Sequence, residues 1–227
     1  MLEFIGGKSS YIAVAEGILS KEICDEVISE CKFFYKHIFE PGPTLGGVNP
    51  LVKASMDFSY TPDLLQTHNI DSQILTKYHS VINDALMGSL AMYIDAYREL
   101  HHVPNIYNTG FRLQHYKKNN GFYRRHVDGD QWTISSEGAR VLGAIIYLND
   151  VERGGETEFP EHGIKVPAKA GSISFFPANW THPHMGCTPV SNDKWIISSF
   201  ICVPNPEPKV KVFKQKEDVV IPPTVIG

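Results

Sequence analysis

Cysteine is scarce in this sequence, and the few cysteines do not form a pattern typical of a disulfide framework or a zinc site. The four are Cys24, Cys31, Cys187 and Cys202 in a chain of 227 residues, and they are too scattered for either arrangement. Cys24 and Cys31 fall on one face of a predicted helix, where cysteine usually serves as a small core residue. The sequence therefore predicts a protein of a reducing compartment.

Basic clusters and long apolar runs are also missing. The net charge is −4 and no basic run occurs, which argues against nucleic acid or an anionic membrane as the main partner. No apolar run has the length of a membrane span. The N-terminal region contains Glu3, Gly6 and Gly7, where a secretory signal would have a basic and then an apolar segment. We therefore expect a cytoplasmic protein.

What is present is the composition of an ordinary globular domain. Hydrophobic residues make up 42% of the chain and charged residues 20%, which are usual proportions for a soluble domain. The length suits a single structural domain with a substantial core. The sequence gives no indication of an oligomeric state.

The first 105 residues are predicted to form a short strand and a helical support region. Ser20 follows a strand-like run at 11–16 and is suited to cap a helix, along which apolar residues recur at helical spacing to about residue 35. Residues 40–50 hold three prolines and three glycines, which predicts a surface loop. Asp71 is the expected cap of a second, longer helix with an aromatic and aliphatic core-facing stripe.

From about Ile106 the pattern changes to short strand-like runs separated by Gly, Pro, Asn and Asp. The predicted strands are 111–116, 123–128, 141–148, 155–159, 164–167, 172–176 and 195–203. Many short strands at close intervals are typical of a sandwich or barrel and not of alternating strands and helices. We therefore predict an α+β, mainly β protein, with a jelly roll over 106–203 behind the support region 1–105 and a C-terminal tail over 204–227.

A histidine and an aspartate stand two positions apart near the centre of this region. In an extended strand such side chains point to one face, so His126 and Asp128 can supply two metal ligands. The third must come from elsewhere, and the candidates are His182 and His184. Two histidines and one carboxylate with open positions form the facial triad of non-haem Fe(II) oxygenases. The same donors also bind Zn, Ni and Cu, so the ligand set alone does not identify the metal.

Three further side chains fit the same chemistry. Lys194 lies ten residues after His184, at the beginning of the last predicted strand. Such a lysine is ordinarily a solvated turn residue, but near a metal pocket it can hold the far carboxylate of a dicarboxylate. Tyr116 and Tyr147 lie on other predicted strands and can offer hydroxyls to the barrel mouth. An aromatic packed in the barrel wall is an equally good interpretation of either tyrosine.

Taken in order, these motifs resemble the prolyl 4-hydroxylase branch of the 2-oxoglutarate- and Fe(II)-dependent dioxygenases. The resemblance covers roughly residues 106–203 and implies a double-stranded β-helix fold. It rests on Leu113-Gln114, Tyr116, Gly121, Tyr123, His126-Val127-Asp128, Tyr147-Leu148-Asn149, Gly154-Gly155-Glu156-Thr157, Phe159, Phe175-Phe176-Pro177, His184, Gly186, Pro189-Val190 and Lys194-Trp195.

The resemblance assigns roles to individual residues. It implies an iron site with three ligands: His126, Asp128 and His184. Lys194 would bind the far carboxylate of 2-oxoglutarate, and Tyr116 and Tyr147 match positions whose hydroxyls assist cosubstrate binding in relatives. His184 is preferred over His182 because it keeps the family spacing to Lys194.

The implied reaction is the hydroxylation of a prolyl or other side chain in a peptide or protein, coupled to decarboxylation of 2-oxoglutarate to succinate and CO2. Fe(II), 2-oxoglutarate and O2 are required, with ascorbate as a further cofactor. A collagen substrate is not expected, because collagen-type members work in a secretory compartment. Two other classes stay open: a cupin-like metalloenzyme without a cosubstrate, and a non-catalytic jelly-roll binding module.

The segment 129–138 follows a predicted ligand and is therefore expected at the open end of the barrel. It is flanked by glycines and carries Trp132. We expect it to fold over a bound peptide and exclude water, with Trp132 and Trp180 packing on the substrate. An ordinary surface hairpin is the alternative interpretation.

Overall fold

The computed structural model describes residues 1–44, 46–60, 73–103, 105–129 and 138–204. Within these ranges the two α-helices are α1 (Lys21–Ile38) and α2 (Gln73–Ala96). The strands of the first half are β1 (Leu2–Phe4), β2 (Ala13–Ala15), β3 (Glu40–Pro41), β4 (Pro43–Thr44), β5 (Gly47–Val48), β6 (Lys53–Ala54) and β7 (Met56–Tyr60). Those of the second half are β8 (Tyr107–Asn108), β9 (Phe111–Tyr116), β10 (Phe122–His126), β11 (Ala139–Tyr147), β12 (Thr157–Phe159), β13 (Ile164–Val166), β14 (Ser172–Pro177), β15 (His184–Gly186) and β16 (Lys194–Val203).

The strands form two main antiparallel sheets. The larger sheet has nine strands in the order β1-β2-β14-β11-β16-β9-β7-β3, with β8 also pairing with β16. The smaller sheet has five strands in the order β13-β12-β15-β10-β6, and β4 and β5 form a separate hairpin. Side chains of both sheets line one shared cavity. The predicted mainly β fold, a double-stranded β-helix with N-terminal helices, is confirmed.

The larger sheet is buried on both faces because its central strands alternate between two hydrophobic clusters. On β16, Trp195 and Ile197 pack in the cluster that also contains the helices, whereas Ile196 packs in the cluster on the opposite face. On β14, Phe175 and Phe176 divide in the same way. A continuous apolar run is what a strand covered on both faces requires. The helices therefore support the sheet from outside while its inner face remains available for the cavity.

Both predicted helices are present and pack on the outer face. The Ser20 hydroxyl accepts a hydrogen bond from the backbone N–H of Ile23 at 3.3 Å, which confirms the predicted N-cap. Cys24 and Cys31 are free thiols on α1 and are fully buried in the hydrophobic core, as predicted. Asp71, the expected cap of α2, lies outside the described residues. None of the described helices combines the length and the apolar character needed to cross a bilayer.

The support region contains the strand predicted at 11–16, which is β2, and several strands that were not predicted. Strands β1 and β2 extend one edge of the larger sheet, β3 and β7 extend the other, and β6 joins the smaller sheet. Residues 40–50, predicted as a loop, contain β3 and the hairpin of β4 and β5. These strands were missed because each is two residues long, and β3 and β4 contain proline, which sheets tolerate at their edges.

The predicted strands of the second half are all present, with small shifts of their ends. The strand predicted at 123–128 ends at His126, so Asp128 lies just beyond it. The short strand β15 was not predicted, because its three residues offer no alternation to recognise. Residues 130–137, which include Trp132, and the tail from residue 205 lie outside the described residues. The predictions of a lid and of a tail therefore stay predictions.

Candidate active site

Three of the predicted site residues form one cluster at the cavity wall. His126 ends β10 and is the Cα partner of His184, which begins β15, and Asp128 follows two residues after His126. One donor atom from each of the three lies within 4.8 Å of the others. The Nε2 atom of His126 is 3.4 Å from Oδ1 of Asp128, and the Nε2 atom of His184 is 3.5 Å from Oδ2. Pairing of two short strands thus brings distant parts of the sequence to one point.

The imidazoles are oriented as metal ligands usually are. The Nδ1–H of His126 donates to the backbone oxygen of Arg124 at 2.8 Å. The Nδ1–H of His184 donates in the same way to the backbone oxygen of His182 at 3.1 Å. A carbonyl that takes the proton of one ring nitrogen leaves the lone pair of the other free, here Nε2 facing Asp128. The donor set therefore fits a divalent transition metal.

The protonation states suit the same role. Burial lowers the pKa of His184 to about 4, which keeps its imidazole neutral at neutral pH. The pKa of Asp128 lies below its ordinary value, because the neighbouring His184 and His126 outweigh the opposing effect of burial. The positive charge of Arg140 also lowers this pKa, and its Nη1 donates to the backbone oxygen of Asp128 at 2.9 Å. Neutral imidazole and ionised carboxylate are the forms that bind metal.

Asp128 approaches the larger sheet at a position where only a glycine fits. A Cβ atom built on Gly143 would lie 2.7 Å from Oδ2 of Asp128 and 2.5 Å from the ring of Phe176. Phe176 also packs against His184, with ring centroids 4.5 Å apart. On the other side Tyr123 stacks on His126 at 3.5 Å. The cluster is therefore held by packing as well as by hydrogen bonds.

His182, the rival to His184, is engaged elsewhere. Its Nε2–H donates to the backbone oxygen of Ser10 at 2.7 Å, and its Nδ1 accepts from the hydroxyl of Thr181 at 2.8 Å. Its ring stacks on His162 with centroids 4.4 Å apart. Both ring nitrogens of His182 are thus occupied, and it is not part of the cluster. The geometry supports the choice of His184.

Lys194 is a buried cation in the same cavity. The cavity has a volume of about 700 Å³, and its lining includes the His126, Asp128 and His184 cluster together with Lys194 and Tyr116. Lys194 is only 3% exposed, and this burial lowers the pKa of its ammonium group to about 8. Within the described residues no carboxylate forms an ion pair with its Nζ. A buried charge without a partner is costly, so the site is suited to an anion.

The two predicted tyrosines lie on either side of Lys194 but differ in where their hydroxyls point. The Lys194 Nζ is 5.6 Å from the ring centroid of Tyr116 and 5.5 Å from that of Tyr147. Tyr116 lines the cavity, and its hydroxyl donates to Oε1 of Gln114 at 3.2 Å. Tyr147 is fully buried, and its hydroxyl is bonded to Thr157 at 2.8 Å. Cosubstrate contacts of either hydroxyl stay a prediction, with Tyr116 the better placed.

The backbone around Lys194 is fixed by a side chain that sequence analysis did not single out. The Nδ2 of Asn149 donates to the backbone oxygen of Asp193 at 2.9 Å, and its Oδ1 accepts from the N–H of Trp195 at 2.7 Å. Asp193 in turn accepts from His115 Nε2 at 2.9 Å. Asn149 follows the strand that ends at Tyr147, in one of the segments that carry the resemblance. The position of Asn149 in the sequence did not show that it binds the backbone of Asp193 and Trp195, the two neighbours of Lys194.

A buried ion pair at the wall of the cavity was also not predicted from the sequence. Lys53 Nζ is 2.6 Å from Oδ2 of Asp57, and both side chains are almost fully buried. Asp57 also accepts from Gln114 Nε2 at 3.0 Å and from the Ser55 hydroxyl at 2.7 Å. The signal was available, because polar residues alternate with apolar ones through 53–60, the period of a strand.

Trp180, predicted to pack on substrate with Trp132, is 72% exposed. It is absent from the lining of the described cavity. Its role therefore stays a prediction.

Comparison with protein families supports the expected assignment. Residues 111–202 match the model of the 2OG-Fe(II) oxygenase superfamily. The chain is 26% identical to probable prolyl 4-hydroxylase 8 of Arabidopsis thaliana, over 75% of this chain and 68% of that protein. It is 24% identical to probable prolyl 4-hydroxylase 7 of the same plant, over 83% of this chain and 61% of that protein.

Solved structures show the same fold. A viral collagen prolyl hydroxylase of Paramecium Bursaria Chlorella virus-1, in complex with 2OG, superposes with a TM-score of 0.62 at 20% identity, covering 87% of this chain and 98% of that one. A Trichoplax adhaerens prolyl hydroxylase, in complex with a hypoxia inducible factor peptide fragment, gives 0.64 at 16% identity, covering 86% and 85%.

Proposed function

We propose that this chain is a prolyl hydroxylase-like 2OG-Fe(II) oxygenase that hydroxylates a prolyl or other side chain of a peptide or protein. The match of residues 111–202 to the superfamily model and the prolyl 4-hydroxylase relatives support this proposal. The cosubstrates are 2-oxoglutarate and O2, and ascorbate maintains the iron in its reduced state. The observation that carries the proposal is the presence of two features in one cavity: the His126, Asp128 and His184 cluster, and the buried cation Lys194.

Under this proposal His126, Asp128 and His184 hold Fe(II). When bound, the iron supplies the oxidation chemistry, in which 2-oxoglutarate is converted to succinate and CO2 and one atom of O2 enters a C–H bond of the substrate. The chain contributes orientation and a protected environment. The backbone oxygens of Arg124 and His182 fix the two imidazoles, and Gly143 leaves room for Asp128.

Lys194 would bind the far carboxylate of 2-oxoglutarate. Among the described residues its ammonium has no hydrogen-bond acceptor, so its donors can bind an anion, and pairing would remove the cost of its burial. Tyr116 lies next to it on the facing strand, where Lys194 and Tyr116 are Cα partners. Asn149 keeps the backbone on both sides of Lys194 in place. Lys194 at one end and the three metal ligands at the other would then fix how 2-oxoglutarate lies in the cavity.

The two alternative classes account less well for this cavity. A cupin-like metalloenzyme without a cosubstrate has no use for a buried lysine in the same cavity as the His126, Asp128 and His184 cluster. A non-catalytic binding module has no use for two imidazoles whose Nε2 atoms converge on one carboxylate. The dicarboxylate-dependent oxygenase uses both features.

The proposal is tested by assaying the purified protein for succinate. The reaction contains Fe(II), 2-oxoglutarate, ascorbate and a panel of proline-containing peptides, one of them collagen-like. We expect succinate to form in an O2-dependent manner and in step with a peptide that gains one oxygen atom. Matched peptides with alanine in place of proline are the control. Absence of succinate with every peptide, from protein that binds Fe(II), would contradict the proposal.

A further inference from the structure

A row of three polar side chains crosses the inner face of the larger sheet, away from the pair formed by Lys194 and Tyr116. Arg112 lies in the middle of β9, and its Cα partners are Ser59 on β7 and Ser198 on β16. All three line the cavity. Residues directly opposite each other on neighbouring strands have Cβ atoms about 5 Å apart. The three side chains therefore leave the sheet side by side, and all of them reach the cavity.

The cavity has more positive than negative groups in its lining. Its cations are Lys53, Arg112, Arg140 and Lys194, whereas Asp128 is the one carboxylate in the described lining. Lys53 is neutralised by Asp57 behind it. The Arg140 guanidinium lies 3.8 Å from the ring centroid of Phe200 and donates to the backbone of Asp128. These two cations are accounted for by contacts within the protein.

Arg112 is the cation that remains. No ion pair or side-chain hydrogen bond of Arg112 is present among residues of the described ranges, although its guanidinium has five donors. Arg112 lines the cavity. Burial and, to a lesser extent, the charge of Arg112 lower the pKa of Lys53, against the opposing effect of Asp57. The position is partly buried, so water screens the charge less than it would at the surface.

The proposed cosubstrates do not compensate this charge. A divalent ion and Lys194 carry about three positive charges, and Asp128 together with the two carboxylates of 2-oxoglutarate carries about three negative ones. The metal, Lys194, Asp128 and 2-oxoglutarate thus balance one another, and the charges of Arg140 and Arg112 are left over. Because Arg140 is already engaged by Phe200 and the Asp128 backbone, a negative group of the peptide would be attracted to Arg112.

We infer that Arg112, with Ser59 and Ser198, forms a subsite that binds the carboxylate of an aspartate or glutamate in the peptide substrate, close to the residue that is hydroxylated. The inference rests on the proposed function and specifies its substrate class. Arginine forms paired hydrogen bonds with a carboxylate, and a neighbouring hydroxyl can donate to the same group. Binding of this acidic side chain would fix which other side chain of the peptide lies next to the His126, Asp128 and His184 cluster.

The test measures binding of labelled peptides by fluorescence anisotropy, under nitrogen with Fe(II) and 2-oxoglutarate so that no turnover occurs. Each peptide has a central proline, and each flanking position is occupied in turn by Asp, Asn, Glu, Gln or Lys. We expect one position at which the acid binds roughly 10- to 100-fold more tightly than its amide, the range for a charge-assisted hydrogen bond. This preference should decrease as salt is added.

Variants connect the preference to Arg112. In Arg112→Gln the acid and the amide should bind equally, and in Arg112→Glu the lysine peptide should become the preferred one. Arg112→Lys should retain part of the preference. The matched control is Arg98→Gln, which removes the same charge from an exposed position outside the cavity and should leave the wild-type preference intact.

Two results would overturn the inference without touching the proposed function: wild-type protein that forms succinate but binds acid and amide peptides equally, and Arg112→Gln protein that keeps the acid preference. A loss of 2-oxoglutarate affinity in Arg112→Gln as large as in Lys194→Met would also overturn it, because Arg112 would then be the cosubstrate anchor. Failure of the succinate assay with every peptide counts against the proposed function itself.

Discussion

The two sheets that enclose the cavity contribute different kinds of groups. The smaller sheet supplies the two histidines from the ends of short strands, β10 and β15. The larger sheet supplies Lys194 and Arg112 from long strands that are buried on both faces. The candidate metal ligands therefore depend on a few local contacts, whereas the two cations stand on strands whose neighbouring side chains form the packed core. Loss of a metal ligand should affect chemistry more than folding, and changes at Lys194 should affect both.

The largest effect is expected from removing a ligand of the smaller sheet. His184→Ala should lower Fe(II) affinity by more than the roughly 10- to 100-fold typical of losing an outer contact of a metal site, and turnover should be lost. His182→Ala is the matched control, because it lies two positions away and loses its bond to Ser10 instead. That variant should lose about 1 kcal/mol of stability with little change in Fe(II) affinity. Isothermal titration with Fe(II) under nitrogen and denaturant unfolding distinguish the two. The opposite ranking would show that His182 is the ligand.

Removal of the buried cation should weaken cosubstrate binding. Lys194→Met keeps an unbranched side chain of similar length without the charge, so we expect 2-oxoglutarate affinity to fall by roughly 10- to 100-fold. Fe(II) affinity should change little, because Lys194 lies outside the metal cluster. Titration of 2-oxoglutarate followed by intrinsic fluorescence measures the change. An unaltered affinity would mean that another cation holds the cosubstrate.

The stability of the ligand-free protein should also depend on pH through Lys194. Burial lowers the pKa of Lys194 to about 8 in the folded state, whereas an unfolded lysine has a pKa of about 10.4. Between these values the unfolded chain binds more protons, so the free energy of unfolding rises with pH. The penalty is fully present below about pH 8 and relieved by about pH 10.4, a difference of about 3 kcal/mol. Urea unfolding of wild-type and Lys194→Met protein across this range isolates the contribution, and parallel curves would contradict it.

A smaller loss of Fe(II) affinity is expected from a change at Gly143, where the larger sheet contacts Asp128. Gly143→Ala would place a methyl group against Asp128 and Phe176, and we expect Fe(II) affinity to fall by about 10-fold, as for other disturbed ligand supports. Gly88→Ala is the control, since nothing lies within 4 Å of a Cβ atom there. Gly88 is exposed on α2, where alanine should stabilise by about 0.5–1 kcal/mol. Equal Fe(II) affinity in both variants would show that Asp128 adapts.

The sequence predicted the parts of the site that depend on local pattern. His126 and Asp128 stand two apart, and the strands around them show clear alternation or apolar runs. The hydrogen bonds from Asn149 to the neighbours of Lys194 could not be predicted in this way. They depend on how β16 pairs with β11 and β9, which the sequence does not show. The Lys53 and Asp57 pair was missed because a polar strand face looks solvent-exposed in sequence. The pair is buried because Lys53, on β6 of the smaller sheet, contacts Asp57, on β7 of the larger sheet.

The N-terminal strands have a consequence for the integrity of the molecule. Strand β2 pairs with β14, and β1 covers β2, while the backbone oxygen of Ser10 receives the His182 hydrogen bond just before His184. Cleavage after residue 16 would uncover the edge of β14, and an unpaired edge is a template for association with other chains. Proteolytic clipping in this segment should therefore be seen first as self-association of the protein, accompanied by loosening of the loop that leads to the second imidazole.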